Sequence, residues 1–450
     1  MRLHCSPMSP CTYPIMELIT RARHRTRSYT GVAVFLMPIF SAAAAQDPRP
    51  ATPRSPVTLA EALSAVLRSS PDIVAAREAA SAARGRERQA GARLNPALSY
   101  NREQVGSGSD GSSEDILEIE QPLEIAGPRA ARTEAARFRR EAADARVRAV
   151  EVQVAYEVAV AFAGALAGER RAVLASQLAE AFSEAERVGA RRLAGGDISG
   201  FAARRIRLEA TRYSVQKSEA LLANRTARLS LLALMPPDID GTRPLEFTPA
   251  SIRGSIERAG ADSLALIALR RRSDLVALSL EGRAAVADAA AARRERNPIP
   301  IIAAGAKREA NRDGTSGNGF VAGLRVPLAL WDRRGGSIDA SDADVRRMAA
   351  ELAAAERKVR REVAEAADAL RTAGEQLDVL TPQVSSDAAA TLRSAQVAYT
   401  EGEISLLEWL DAARAYHEVE TSLATLRSEY LVRAAVLHRA VGGTLMEGTR

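Results

Sequence analysis

The chain contains the stretch Ser70-Pro71-Asp72-Ile73-Val74-Ala75, and a related stretch, Arg272-Ser273-Asp274-Leu275-Val276-Ala277, follows 202 positions later. Three further landmarks return in the same order at offsets between 202 and 206. They are Asn95-Pro96 with Asn297-Pro298, Pro122-Leu123 with Pro327-Leu328, and Gly196-Asp197-Ile198-Ser199 with Gly402-Glu403-Ile404-Ser405. A repeat of this length sets the whole architecture. The sequence therefore predicts two copies of one unit, at residues 57–235 and 262–442, each with helices, two strands and a long helical hairpin.

The segments outside the two copies differ in composition from the copies. Residues 1–45 combine closely spaced arginines, a short apolar run and a string of alanines before Gln46, a pattern typical of a secretory signal peptide. We expect cleavage after Ala45. Residues 46–56 are predicted to form an extended leader, residues 236–261 a linker or equatorial segment between the copies, and residues 443–450 a C-terminal tail.

Signal cleavage changes what the composition implies. Residues 1–45 hold five arginines and one glutamate, so the net charge falls from +6 for the whole chain to +2 without them. Nucleic-acid binding thereby loses its main support. Both cysteines, Cys5 and Cys11, leave with the signal peptide, which predicts a fold without disulfides. No run of 18 consecutive apolar residues follows Gln46, and we expect no transmembrane helix.

Four segments have the period of strands. Residues 97–105 and 115–124 are predicted as one pair, and residues 299–309 and 318–328 as the equivalent pair in the second copy. Apolar and polar residues alternate along them, as in Leu117, Glu118, Ile119 and Glu120. Strands of about ten residues with this alternation are typical of transmembrane β-barrels. Because four strands are too few to close a barrel, and an open edge is not tolerated in lipid, several chains must contribute to one barrel.

The helical segments are much longer than those of most globular proteins. Residues 129–194 contain no proline and are rich in alanine, arginine, glutamate and leucine. A second long helix is predicted from residue 337 to about residue 400, with a kink at Pro382. Helices at 199–234 and 405–440 follow glycine-containing turns. The predicted fold class is therefore mainly α, with a transmembrane β-barrel built from several chains and a long helical extension.

The chain resembles the TolC family of outer-membrane efflux proteins over nearly all of residues 57–442. The most specific segment runs from Tyr399 to Ala412, with the sequence YTEGEISLLEWLDA, and is similar to the family's segment at the periplasmic tip. Residues 121–129, with the sequence QPLEIAGPR, resemble the strand-to-helix junction of the heavy-metal (cobalt-zinc-cadmium type) exporter branch. That branch usually has Gly-Lys-Arg where this chain has Gly127-Pro128-Arg129.

The resemblance implies a homotrimer with a shared twelve-stranded barrel in the outer membrane and a periplasmic α-helical barrel. It also implies two partners, a periplasmic adaptor (membrane fusion) protein and an inner-membrane pump of the resistance-nodulation-division type. The adaptor is expected to contact the two tips, formed by Gly196, Asp197, Ile198 and Ser199 and by Gly402, Glu403, Ile404 and Ser405.

Glu408 and Asp411 match two family positions whose carboxylates line the narrow periplasmic end of the channel. In a trimer each would form a ring of three negative charges, and acidic rings favour cations. The alternative is a solvated helix face, since the two residues are one turn apart. The first copy departs from the pattern, because Ala202 stands where relatives can carry an acid. Bonding between helices is therefore not predicted at that point.

No chemistry is predicted. Without the signal peptide the histidines are His417 and His438, and no nucleophile–base pair or metal-ligand set is evident, so we expect no catalytic residue, no metal site and no cofactor. We interpret the chain as the passive outer-membrane duct of a tripartite efflux system for metal cations or small toxic compounds. The alternatives are a duct for type I protein secretion and, from another class, a secreted periplasmic coiled-coil scaffold or adaptor.

Overall fold

The computed structural model describes residues 55–106, 111–247, 259–380 and 382–443. The predicted signal peptide at 1–45, the leader up to residue 54 and residues 444–450 of the predicted tail lie outside these ranges. Residues 107–110, between the first two predicted strands, and residues 248–258 of the linker also lie outside them.

The first copy begins with a short strand that leads directly into a helix. Its elements are β1 (Val57–Thr58), α1 (Leu59–Ser69), α2 (Pro71–Ala90), β2 (Ala97–Val105), β3 (Ser112–Pro122), α3 (Pro128–Gly195) and α4 (Gly200–Leu234). Proline suits the first turn of a helix, where its missing N–H is not needed, and both α2 and α3 begin with one. Ser70 is the N-cap of α2, but its side chain makes no capping hydrogen bond.

The second copy follows the same order with one difference. The linker before it contains β4 (Leu245–Glu246), which pairs with β1. The elements of the second copy are α5 (Ala261–Arg271), α6 (Ser273–Arg294), β5 (Ile301–Asn311), β6 (Ser316–Arg325), α7 (Gly335–Val379), α8 (Pro382–Glu401) and α9 (Leu406–Val441). Whereas α3 is continuous over 68 residues, about 100 Å, its counterpart is divided into α7 and α8. The break coincides with Pro382, where the sequence predicted a kink.

Helix α3 occupies the centre of the helical layer. Near the sheet it packs between α2 and α6, and α6 packs in turn against α7. Toward the far end it packs between α4 and α9, and α9 packs against α8. The layer is therefore a row, with the first copy's α2 and α4 at one edge and the second copy's α7 and α8 at the other.

The main core lies where helices of both copies meet. It joins α1, α3, α5, α7 and α9 through buried side chains that include Leu63, Phe162, Leu264, Val363 and Leu431. Alanines fill most other contacts along α3, for example Ala135 against Ala284 and Ala287. Small side chains let helix axes approach closely, so these helices can stay in register over many turns.

By length and composition, α3 contains one segment that could cross a membrane, although the sequence analysis predicted no such helix. Glu157 is the only charged residue within residues 152–168. Val158 and Phe162 of this segment have no exposed surface and belong to the main core cluster. The apolar residues of the segment thus pack against neighbouring helices of the same chain.

The four long strands form one antiparallel sheet in the order β2-β3-β5-β6. The two copies join at its centre, where β3 pairs with β5 from Ser112↔Asn311 to Pro122↔Ile301. The bounds differ by two or three residues from the predicted 115–124, 299–309 and 318–328. β3 begins early because Ser112 already pairs with Val105, and β6 ends at Arg325, shortly before Pro327, which has no N–H to donate.

The two faces of the sheet differ sharply in chemistry. One face, here called the apolar band, is formed by Leu98, Tyr100, Leu117, Ile119, Ile302, Ala304, Ala306, Phe320, Ala322 and Leu324, which lie in register across the strands. The large side chains of the band are exposed, Phe320 at 87%. On the opposite face Lys307 forms an ion pair with Glu114 at 2.7 Å, and Arg325 forms one with Glu120 at 2.9 Å. The sheet thus has the alternation that the sequence predicted for a barrel wall.

Candidate functional site

The two helical hairpins reverse direction through the same local structure. Helices α3 and α8 each end at a glycine with positive φ, 83° at Gly196 and 84° at Gly402. The next residue donates its backbone N–H back into the helix, Asp197 to the Arg192 carbonyl and Glu403 to the Ala398 carbonyl, both at 2.8 Å. This pattern is the Schellman motif, which favours glycine because the left-handed conformation is strained for other residues. The duplicated tip sequences therefore fold into duplicated turns.

The helices that leave the turns begin with equivalent serines but are capped differently. Ser199 accepts a hydrogen bond from the Ala202 N–H at 3.2 Å. Ser405 accepts one from the Glu408 N–H at 3.3 Å, and Glu408 Oε2 accepts one from the Ser405 N–H at 2.7 Å. The second turn thus has a complete capping box, and the Ser405 N–H lowers the pKa of Glu408. Ala202 cannot return this bond in the first turn.

Asp411 and Glu408 lie at the same end of α9, but the structure does not pair them with each other. The Asp411 side chain is 65% exposed, and Arg414 Nη1 lies 3.4 Å from its Oδ1. Arg414 also reaches α4, where its Nη2 lies 2.8 Å from Glu209 Oε1 and its Nε donates to the Tyr213 hydroxyl at 3.3 Å. The two hairpins are therefore bonded through Arg414, at a point that the sequence analysis, which considered Ala202 alone, did not identify.

An aromatic cluster joins all four helices above the turns. Phe182 of α3 lies 4.2 Å from Tyr213 of α4 and 6.2 Å from Trp409 of α9, measured between ring centroids. Trp409 stacks on Tyr399 of α8 at 5.7 Å. Aromatic pairs of this kind stabilise by about 0.5–1.5 kcal/mol beyond their buried area. This cluster was not predicted from the sequence, although the rarity of aromatic residues, 4% of the chain, was a usable signal.

A cavity of about 500 Å³ opens between α3, α8 and α9 beside this cluster. It is lined mainly by apolar side chains, among them Leu178, Leu392 and Trp409, and includes His417 at its rim. Burial lowers the pKa of His417, which favours the neutral imidazole. Across residues 55–106, 111–247, 259–380 and 382–443, no group of three or more His, Cys, Asp or Glu side chains is arranged to hold a metal ion.

Farther along α9, the buried carboxylate of Glu420 connects three helices. It accepts hydrogen bonds from Arg170 of α3 and from the Ser385 hydroxyl of α8. Burial by itself would raise the pKa of Glu420, but the bonds from Ser385 and Arg170 outweigh burial, and the pKa lies below the ordinary glutamate value of 4.5. The ionised form of Glu420 therefore stabilises the folded state.

Glu420→Gln is expected to lower the free energy of unfolding by about 1–2 kcal/mol at pH 7, a range that allows for the half-exposed Arg170. Because the pKa is lower in the folded state, the contribution is complete above about pH 4.5 and is lost as the pH falls through the folded-state pKa. Urea unfolding followed by circular dichroism at pH 7 and at pH 3.5 tests this. The exposed Glu418→Gln on the same helix is the control, and a difference between Glu420→Gln and parent that does not shrink at pH 3.5 contradicts the assignment.

Comparison with known proteins places this architecture in a family. The model for "Outer membrane efflux protein" matches residues 62–235 and 264–443, which are the two repeats. The chain belongs to the outer membrane efflux protein family. It is an outer-membrane efflux channel protein with a periplasmic helical extension. Members of the family are channel proteins, which agrees with the expectation that the chain is not an enzyme.

Two curated relatives are metal-resistance proteins. The cobalt-zinc-cadmium resistance protein CzcC of Cupriavidus metallidurans is 25% identical over 425 residues, covering 92% of this chain and 98% of that protein. The nickel-cobalt-cadmium resistance protein NccC of Alcaligenes xylosoxydans xylosoxydans is 28% identical over 358 residues, covering 75% and 73%. The predicted resemblance to the heavy-metal exporter branch is therefore confirmed, because both relatives are metal-resistance proteins.

Solved structures share the fold at lower identity. The channel-forming protein CusC superposes with a TM-score of 0.67 at 19% identity, covering 89% of this chain and 99% of that one. The outer-membrane channel OprN superposes with a TM-score of 0.69 at 19% identity, covering 86% and 90%. These likenesses confirm the outer-membrane channel fold.

Proposed function

We propose that three copies of the chain form one closed duct through the outer membrane and the periplasm. The sheet supports closure by further chains, because in the described part of the chain β2 and β6 each have only one neighbouring strand. An unpaired strand edge exposes backbone N–H and C=O groups that lipid cannot satisfy. Three copies, the number implied by the family resemblance, give a barrel of twelve strands.

The helical row has an open edge at each side as well. On α4 the residues Phe201, Leu208, Val215, Leu222 and Leu229 recur every seventh position and are all between 53% and 72% exposed. We call this set the α4 stripe. An apolar stripe of heptad spacing is typical of a helix that packs against another helix. Along α8, at the other edge, the exposed face carries small side chains such as Ala390 and Ser394, between which large side chains can insert.

The observation that carries the proposal is that the edges coincide. The first copy supplies β2, α2 and α4 at one edge, and the second copy supplies β6, α7 and α8 at the other. A head-to-tail contact between two chains can therefore join β6 of one chain to β2 of the next, and α8 of the first chain to α4 of the next, at the same time. Such a heterologous contact forms a ring when its rotation closes. The apolar band then faces lipid, and the charged face of the sheet faces the lumen.

We propose metal cations or small toxic compounds as the cargo of this passive duct. The names of the relatives CzcC and NccC support metal cations over the alternative of protein secretion. The lumenal face of the sheet carries Glu103, Glu114, Glu118, Glu120 and Glu309 against Lys307 and Arg325. Deletion of the gene should lower the concentrations of cobalt, zinc, cadmium or nickel salts that cells tolerate. Unchanged tolerance of all four would count against metal cargo.

Glu408 and Asp411 are proposed to form two acidic rings at the periplasmic end of the lumen. Both lie in the first turns of α9, directly after the second tip, and both are exposed in the single chain. The capping bond uses Oε2 of Glu408, so its other carboxylate oxygen is available to cations. The same geometry also suits a solvated face, and the two interpretations differ in ion selectivity, which is treated in the Discussion.

The two tips are proposed to bind a periplasmic adaptor, through which the duct connects to an inner-membrane resistance-nodulation-division pump. In both tips the aspartate or glutamate after the glycine is exposed, and the following isoleucine, Ile198 or Ile404, packs against the core above the turn. The tips thus present short, rigid and similar surfaces at the end of the helical row.

Cysteines at Asp197 and Glu403 are expected to crosslink to the adaptor in intact cells that express both proteins. These positions are preferable to Ser199 and Ser405, whose hydroxyls cap α4 and α9. A short heterobifunctional reagent, with a maleimide for the introduced thiol and a succinimidyl ester for lysines of the adaptor, forms the product, and immunoblotting measures it. Ala349→Cys, exposed on α7 near the sheet, is the control. Equal adaptor crosslinking from Ala349→Cys, or only self-crosslinks from the tips, would exclude docking at the tips.

A further inference from the structure

Immediately beyond the apolar band, one row of three charged residues and an asparagine crosses the sheet. Arg102 pairs with Asp115, Asp115 with Arg308, and Arg308 with Asn318, so the four residues lie side by side on four strands. We call them the arginine row. They are two positions along each strand from Tyr100, Leu117, Ala306 and Phe320, the last row of the band, and therefore face the same side of the sheet. The arginine row thus belongs to the surface that faces lipid.

The positive charge of this row is only partly balanced. The Arg308 guanidinium group is exposed and makes no hydrogen bond or ion pair with the described part of the chain. Arg102 is 59% exposed, and its Nε lies 3.7 Å from Asp115 Oδ1, beyond hydrogen-bond distance. The same Asp115 oxygen accepts the Tyr100 hydroxyl at 2.7 Å. By contrast Lys307, next to Arg308 but on the lumenal face, is paired with Glu114.

The row lies at the outer boundary of the hydrocarbon layer. The exposed apolar residues on β6 and its continuation run from Leu328 through Leu324 to Phe320, eight residue steps or about 26 Å of extended chain. At a strand tilt near 40° this covers about 20 Å of the ~25 Å apolar band of an outer-membrane barrel. The helices of the periplasmic extension leave the sheet at the Leu328 end, so the arginine row lies at the level of the outer-leaflet headgroups.

We propose that Arg308 and Arg102 bind the phosphate groups of the phosphorylated glycolipid that forms the outer leaflet of the outer membrane. The guanidinium group matches phosphate oxygens in a bidentate geometry and is weakly hydrated. This inference rests on the proposed function. Within one chain, Arg102 and Arg308 lie two strands apart, about 10 Å, on either side of Asp115 in the arginine row. Both guanidinium groups therefore face the same layer of headgroups.

The chain offers a matched pair of variants to test this site. Arg308→Gln removes an uncommitted charge from the lipid-facing side, and Lys307→Gln removes a charge at the adjacent position on the lumenal side. The purified, delipidated full-length protein is mixed with vesicles of phosphatidylethanolamine that contain bisphosphorylated glycolipid, the dephosphorylated form of that glycolipid, or phosphatidylglycerol. The glycolipid retained per trimer is measured by native mass spectrometry.

The parent protein and Lys307→Gln are expected to retain the bisphosphorylated glycolipid at least about tenfold better than its dephosphorylated form. Arg308→Gln should reduce this preference about tenfold, and Arg102→Gln/Arg308→Gln should abolish it, since loss of one charge-assisted hydrogen bond corresponds to roughly a factor of ten or more. Arg308→Lys should recover part of the preference.

Retention that is unchanged in the double variant, or equal for phosphatidylglycerol and the bisphosphorylated glycolipid, overturns the proposal. Channel conductance is recorded on the same preparations to separate this outcome from failure of the duct. A conducting channel with arginine-independent glycolipid retention removes the site and leaves the duct. Arginine-dependent retention by a protein that never conducts removes the duct and leaves the site.

Discussion

Leu208→Asp/Leu222→Asp is expected to prevent the chain from forming a channel and to reduce efflux to the level of a strain without the gene. Both leucines belong to the α4 stripe and are exposed in the single chain, at 72% and 59%. At the proposed contact between neighbouring chains, here called the seam, each leucine would be buried against α8 of the adjacent chain. This burial stabilises the contact by about 1.5–3 kcal/mol per side chain. An aspartate there loses this contribution and also places an unpaired carboxylate in an apolar contact. The effect recurs at all three seams.

The assembly state can be measured by electrophoresis of unheated samples and by light scattering in detergent, and efflux by tolerance of metal salts. Leu208→Met/Leu222→Met preserves volume and apolar character and should assemble like the parent. Helix content by circular dichroism should be similar in both double variants, because both leucines are mostly exposed in the single chain. An intact trimer in the aspartate variant would show that the α4 stripe is not the seam.

Glu408→Ala/Asp411→Ala is expected to raise single-channel conductance and to reduce cation preference strongly. In the proposed trimer each position contributes three carboxylates to one constriction, and removing six negative charges eliminates the field that attracts cations. The alanine change at Glu408 also removes half of the capping box at Ser405, so its effect combines charge with helix-end structure.

Glu408→Gln/Asp411→Asn separates these two effects. Glutamine can still accept the Ser405 N–H in a capping box, whereas both charges are lost. Recording in a planar bilayer across a salt gradient should give a reversal potential close to zero for this variant and a clearly cation-selective value for the parent. Equal reversal potentials would assign the two acids to a solvated helix face, with Glu408 serving only as the cap of α9.

The sequence predicted the features that depend on neighbours in the chain. The repeat, the strand pairs, the long helices, the interruption at Pro382 and the glycine turns all follow from local composition and spacing. The tip bond from Arg414 to Glu209 and the contact of Phe182 with Trp409 join residues more than 200 positions apart, and no local pattern indicates them. The α4 stripe has a visible spacing of seven, but only the packing of α4 against α3 shows that this face remains uncovered.

Strand boundaries and the character of α3 were harder to predict for physical reasons. The ends of β3 and β6 depend on where the partner strand stops pairing rather than on their own composition. The apolar segment of α3 around Val158 and Phe162 was not predicted as long enough to cross a membrane, because a search for uninterrupted apolar runs stops at Glu157. The arginine row became apparent only from the register of the four strands, because Arg102 lies in the first repeat of the chain and Arg308 in the second.

The joining of β3 to β5 within one chain has a consequence for how the duct assembles. In the proposed ring, β3 and β5 join the two repeats of one chain, and β6 joins the second repeat to β2 in the first repeat of the adjacent chain. The trimer is therefore a ring of six similar repeats. Six separate units would need five successive associations, each with a loss of translational and rotational freedom of at least about 4 kcal/mol. Three fused pairs need two. Fusion also permits alternate units to diverge, so that a ring can carry Glu408 at three of its six turns and Ala202 at the other three.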